Sequence, residues 1–150
     1  MELPKYDYKT NDTFASFEFF SEGPNGKIKK LVNYQKIDEW PDGTPVINLG
    51  FGDWDEAQHK VSDMSMSNNA DRNKILATVA STVIDFTEKH GKLPIFAKGT
   101  TPARTRLYQM GINANLSPVR AIFEVYGLTV NGWESFQKSK NYEAFLVIRK

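Results

Sequence analysis

Apolar and polar positions recur along this chain with two different periods, and the change falls near its middle. From Phe14 to Ser21 (FASFEFFS) aromatic residues follow a strand period, with Phe17 and Phe19 on one face and Phe14 and Phe20 on the other. Glu22-Gly23-Pro24-Asn25-Gly26 has the composition of a turn, and Lys27 to Ile37 (KIKKLVNYQKI) is strand-like again, so the two runs predict a hairpin. Trp40-Pro41-Asp42-Gly43 predicts the next turn. Pro45 to Phe51 (PVINLGF) predicts a third strand that ends at Gly52-Asp53-Trp54-Asp55, and His59 to Met64 a fourth. The first half therefore reads as an antiparallel meander. Its aromatic residues serve core packing more simply than base stacking, because alternation covers both faces of a central strand.

The second half follows a helical period. Asn69 is the predicted cap of a helix running to about Lys89, with Ile75, Leu76, Val79, Val83 and Phe86 as its apolar stripe. Gly91 then acts as C-cap, and Pro94 prevents continuation. Leu93 to Ala97 is a short buried strand. Thr101 caps a second helix from Pro102 to Met110 that ends at Gly111. Ser117 caps a third, with Pro118 at its first position and Val119, Ile122, Phe123 and Tyr126 on its apolar face, ending near Gly127. Leu128 to Gln137 is too short and mixed for periodicity to assign. Tyr142 to Ile148 (YEAFLVI) is the last strand. The order is four strands, helix, strand, two helices, strand. It predicts an α+β fold: a mixed, mostly antiparallel sheet of about six strands packed by two or three helices.

Composition narrows the class. A length of 150 residues fits a single domain over residues 1–150 with a core large enough to need no staples. There is no cysteine, which removes disulfides, thiolate metal sites and cysteine nucleophiles. Nineteen Lys and Arg against eighteen Asp and Glu leave the net charge near zero, so any basic site is local. No apolar run approaches the roughly 20 residues that span a bilayer, and MELPKYDYKT lacks the apolar core of a signal peptide. A soluble, cytoplasmic protein without a membrane partner is the expectation.

The chemistry concentrates in Ile95 to Ile112 (IFAKGTTPARTRLYQMGI), a strand, a tight turn and a helix start. Arg104 and Arg106 sit near that start, where the helix dipole disfavours cations, and a bound anion turns this cost into a gain. If His59–Met64 and Leu93–Ala97 pair in parallel through the intervening helix, the loop Ser65–Asn69 and the loop Lys98–Thr101 face each other. Both lead into helix N-termini, a place where open sheets bind ligands. Asn68, Asn69, Lys98, Thr100, Thr101, Arg104 and Arg106 are the candidate ligand-binding residues. Arg104 and Arg106 are two apart and point to different sides of the helix, so at most one lines the pocket directly. The ligand class is a nucleotide, a phosphorylated metabolite or a nucleic-acid backbone. The competing reading is that these arginines reach solvent or pair with neighbouring carboxylates.

Other residues carry weaker signals. Asp71 falls in the first turn of the first helix, where a negative charge stabilises. Asp53 and Asp55, flanking Trp54, read as turn residues ahead of an acid–base or metal pair. His59 and His90, the two histidines, are too far apart in sequence to suggest a zinc site. No P-loop, dinucleotide fingerprint or Gly-x-Ser-x-Gly is present.

Two resemblances follow from these residues. Asn48-Leu49-Gly50-Phe51-Gly52-Asp53, Ser67-Asn68-Asn69, Lys74 to Ala80, Gly99 to Ile112 and Tyr142 to Val147 resemble an uncharacterised bacterial family of small single-domain proteins, which implies no established activity. Ala103 to Ile112 (ARTRLYQMGI) is similar to a helix in the later half of N-acetyltransferase superfamily domains. That similarity implies an acyltransferase-like enzyme using acetyl-CoA, with Tyr108 as its general acid. A third reading, resting on small size alone, is a protein-interaction partner in a toxin–antitoxin or phage-defence pair.

Overall fold

The computed structural model describes residues 4–55, 60–62 and 70–150. In chain order the elements are β1 (Lys9–Thr10), β2 (Ser16–Gly23), β3 (Gly26–Glu39), β4 (Pro45–Asp55), β5 (Lys60–Ser62), α1 (Arg72–His90), β6 (Ile95–Ala97), α2 (Pro102–Ala114), α3 (Leu116–Ile122), β7 (Phe123–Thr129), β8 (Gly132–Ser135) and β9 (Phe145–Arg149). The fold is α+β, with a mixed, mostly antiparallel sheet in the order β1-β2-β3-β4-β6-β9-β7-β8 and β5 paired to β4 outside that path. Among the described residues only β4 and β6 pair in parallel. Among the described residues nine strands stand where about six were predicted.

The meander forms as its pattern predicts. β2 and β3 pair antiparallel from Ser16↔Asn33 to Gly23↔Gly26, with Gly26 at φ +88° closing the turn. β3 then pairs with β4 through a bulge between Lys36 and Asp38. Alternation buries Phe17 and Phe19 and leaves Phe20 40% exposed. Both buried rings join Tyr34, Ile47, Leu49, Ile95, Val125 and Phe145 in one core, and Val83 and Phe86 of α1 pack into it. The Tyr34 hydroxyl donates to Thr82 Oγ1 at 2.7 Å, since that threonine spends its own proton on the Val79 carbonyl.

Several expectations need correction. The third helix ends at Ile122, not near Gly127, and Phe123-Glu124-Val125-Tyr126 starts β7. Phe123, Val125 and Gly127 alternate as buried positions, and pairing of Val125 with Val147 on β9 outweighs the helical spacing of Val119, Ile122, Phe123 and Tyr126. The unassigned stretch after Gly127 completes β7 and makes β8. Gly111 lies inside α2, where a Cβ would meet Leu76 Cδ1 at 1.8 Å, so this glycine permits close approach to α1 and caps nothing. α1 starts at Arg72 with Asp71 at the N-cap position, so Asp71 stands before the first turn. The predicted cap Asn69 and its neighbour Asn68 lie outside the described residues.

The expected parallel pairing of the fourth strand with β6 does not form. β3 occupies one edge of β4 at both Ile47 and Asp53, so β5 and β6 share the other edge, at Asp53–Asp55 and at Ile47–Asn48. β5 runs antiparallel to β4 and β6 parallel to it. The long central β4 is the parallel partner that the crossover through α1 reaches, because three residues of β5 offer too little edge to compete.

Candidate functional site

The turn from β6 into α2 is fixed by two local devices. Thr101 is extended, and its Oγ1 accepts the Arg104 N–H at 3.2 Å, with Pro102 opening the helix. Gly99 lies hard against the first turn: a Cβ there would come within 2.5 Å of both the Arg104 Cβ and the Thr105 nitrogen. The Gly99 N–H donates to the buried Thr105 Oγ1 at 3.0 Å. The chain therefore folds back onto its own helix start, where Pro102 has no N–H to offer and the Arg104 and Thr105 amides are already bonded to Thr101.

A second wall comes from residues 138–143, between β8 and β9. Gln109, buried on α2, grips this segment with both ends of its amide. Its Oε1 accepts the Tyr142 N–H at 3.0 Å, and its Nε2 donates to the Lys140 carbonyl. The Tyr142 hydroxyl donates to Glu134 Oε2 at 2.9 Å and accepts the Gln137 N–H at 3.0 Å. The Tyr142 ring lies flat against Gly127, which leaves no room for a side chain there. Lys140 pairs with Glu134 at 3.0 Å. The hydrogen bonds from Lys140 and Tyr142 hold the Glu134 carboxyl below the usual carboxylate range. Burial, then the bond to Glu134, pushes the Tyr142 phenol up.

Between these walls lies a cleft of about 480 Å³, lined on one side by Lys98 to Pro102, Thr105 and Arg106 and on the other by Gln109, Asn141, Tyr142 and Glu143. Four of the predicted residues, Lys98, Thr100, Thr101 and Arg106, meet in it. Arg104 is half-buried and is absent from the lining, and Asn68 and Asn69 lie outside the described residues. Thr105 and Gln109 are spent on holding the walls. Lys98, Arg106, Asn141 and Glu143 carry no side-chain hydrogen bond or ion pair among the described residues. The sequence reading missed the whole 138–143 wall.

The remaining singled-out residues are occupied elsewhere. Asp71 accepts from the Tyr6 hydroxyl at 2.6 Å and from Ser21 Oγ at 2.5 Å, tying the start of α1 to β2 and to the N-terminal segment. Asp53 is not a turn residue: it lies within β4 and pairs with the buried Lys30 directly across on β3. The side chain of Asp55 and all of His59 lie outside the described residues. His90 Nε2 lies 2.6 Å from the Thr13 carbonyl, and its ring packs at a tilt against Phe86. Tyr108 is half-buried and packs against the core. Among the described residues no group of three or more His, Cys, Asp or Glu side chains is placed to hold a metal ion. None of the described helices is long and apolar enough to cross a membrane.

A family model described as a family of unknown function, DUF6934, matches residues 2–150. No curated protein and no solved structure matches, so the comparisons lend no support to the acetyltransferase resemblance.

Proposed function

We propose that this chain, which belongs to that family of unknown function, is a binding domain for a small anionic ligand held in the cleft at the start of α2. The observation that carries the reading is the meeting of Lys98 and Arg106, both without a protein partner among the described residues, in one cleft at the positive end of the α2 dipole. A guanidinium offers a planar fork to a phosphate or carboxylate, and an ammonium adds a compact point charge. Thr100 and Thr101 line the same cleft. The cleft falls within the range of small-molecule pockets, about 300–1,000 Å³. The near-zero net charge argues for a discrete ligand over the long backbone of a nucleic acid.

Thermal unfolding at low ionic strength tests it, with inorganic phosphate, pyrophosphate, ribonucleotides and acetyl-CoA as probes. A ligand at 100 times its dissociation constant stabilises by about 2.7 kcal/mol, a rise of roughly 5–10 °C for a chain of this size. Lys98→Ala with Arg106→Ala removes the shift. No shift with any phosphorylated probe refutes the site, and a shift with acetyl-CoA alone favours the acyltransferase reading.

A further inference from the structure

The cleft carries more than positive charge, and its far wall points to the class of ligand. Glu143 faces the same space as Lys98 and Arg106, yet its carboxylate pairs with neither. The backbone that carries it is held on both sides: the Tyr142 N–H donates to Gln109 Oε1 at 3.0 Å and the Glu143 N–H donates to the Leu128 carbonyl at 3.0 Å. The acid is thus held on one wall and the cations on the other. A cleft shaped for a bare anion gains nothing from a carboxylate on its far wall, which repels that anion. It gains from one if the ligand spans the gap and presents hydrogen-bond donors to the far wall.

An ionised carboxylate is an acceptor only, whereas the neighbouring Asn141 amide both donates and accepts. Hydroxyl groups match that pair, since each donates and accepts. A ligand ammonium satisfies the carboxylate but leaves the Asn141 amide donors unmatched. A volume of about 480 Å³ also exceeds what a lone phosphate fills.

We infer that the ligand is a phosphate monoester bearing a diol, a sugar phosphate or ribonucleotide, with its phosphate on the Lys98–Arg106 wall and its hydroxyls on Glu143 and Asn141. This rests on the anion-binding reading above and sharpens it.

Calorimetric titration of the whole chain with ribose 5-phosphate, 2-deoxyribose 5-phosphate, adenosine 5′-monophosphate and inorganic phosphate tests it, alongside Glu143→Gln and Arg106→Ala. The wild-type chain is expected to prefer ribose 5-phosphate over inorganic phosphate by about tenfold or more, the size of one good discriminating contact. Glu143→Gln removes most of that preference while inorganic phosphate binds slightly tighter, because a negative charge has left the cleft. Arg106→Ala weakens both phosphates together. Adenosine monophosphate binding more tightly than ribose 5-phosphate identifies the ribonucleotide as the source of the shared chemistry; equal binding identifies the sugar phosphate. If inorganic phosphate binds wild type as tightly as the sugar phosphates, or if Glu143→Gln leaves the preference intact, the diol assignment is overturned and the anion site survives. If no phosphate binds at all, both fall. Glu143 is exposed, so unchanged unfolding midpoints certify the variant as folded.

Discussion

Gly127→Ala puts the far wall of the cleft under a measurable strain. A Cβ at this position would lie 2.3 Å from Cδ1 and Cγ of Tyr142 and 2.6 Å from Cδ2. Ordinary carbon contacts begin near 3.4 Å, so the ring must retreat by about 1 Å. It has no soft direction in which to go. Its hydroxyl is bonded to Glu134 at 2.9 Å and to the Gln137 N–H at 3.0 Å, its backbone N–H to Gln109 at 3.0 Å, and Phe136 packs on it at 5.3 Å between centroids. Overpacking of this kind costs about 1–3 kcal/mol, and each hydrogen bond pulled apart adds about 1 kcal/mol. The expected total is about 3 kcal/mol, a fall in Tm of roughly 6–12 °C. Thermal and urea unfolding measure it.

Two companions make the reasoning refutable. At Gly50 in β4 a Cβ meets nothing nearer than 3.8 Å, so Gly50→Ala is expected to change stability by less than about 0.5 kcal/mol. In a Tyr142→Ala background the obstacle is gone, and Gly127→Ala should then cost almost nothing. A loss that is the same in both backgrounds refutes the steric account, because only residues in contact show such coupling.

The tyrosines predict alkaline behaviour. Burial, with the Asp85 carboxylate adding to it at Tyr8, raises the phenols of Tyr34 and Tyr8 far above their ordinary value. Their contribution to stability is therefore complete below about pH 10 and is lost as the pH rises beyond it. Phenolate absorbance from these two residues, isolated by Tyr34→Phe and Tyr8→Phe, should appear together with loss of the circular-dichroism signal; its appearance in the folded chain near pH 10 overturns the assignment. Asp71→Ala removes the charged acceptor shared by the fully buried Ser21 and the Tyr6 hydroxyl, which turns to the Glu22 carbonyl at 3.2 Å. It should cost about 2–4 kcal/mol in urea unfolding, as for charge-assisted bonds, and a loss under 0.5 kcal/mol contradicts it.

How far the fold was legible depended on whether a signal was local. The β2–β3 hairpin and the Thr101-Pro102 start of α2 carry their causes within a few residues, and both form where the pattern puts them. The end of α3 does not. Val119, Ile122, Phe123 and Tyr126 satisfy a helical spacing, and Phe123, Val125 and Gly127 satisfy a strand spacing, in overlapping residues. The partner strand β9 decides between them from some twenty residues away. Gly111 and Gly127 were equally opaque. A glycine at a helix end reads as a cap, but what requires these two is Leu76 and Tyr142 lying against them.

The cleft divides along the same line. One wall is a continuous run from Lys98 to Arg106, so the chemistry of a helix start exposes it to inspection of the sequence. The spacing of Arg104 and Arg106 even limits the wall to one of them, and Arg106 is the one that lines it. The other wall exists because Gln109 reaches across 31 and 33 residues to hold Lys140 and Tyr142. Nothing about a glutamine midway along an amphipathic helix announces such a grip, and side-chain bonds of that sequence separation leave no periodic trace. Glu143, set by that grip, would otherwise be one more acidic residue at the head of a strand. The half of the proposed site that would attract charge is written in adjacent residues, whereas the half proposed to select among charged ligands is assembled only when the sheet and α2 come together.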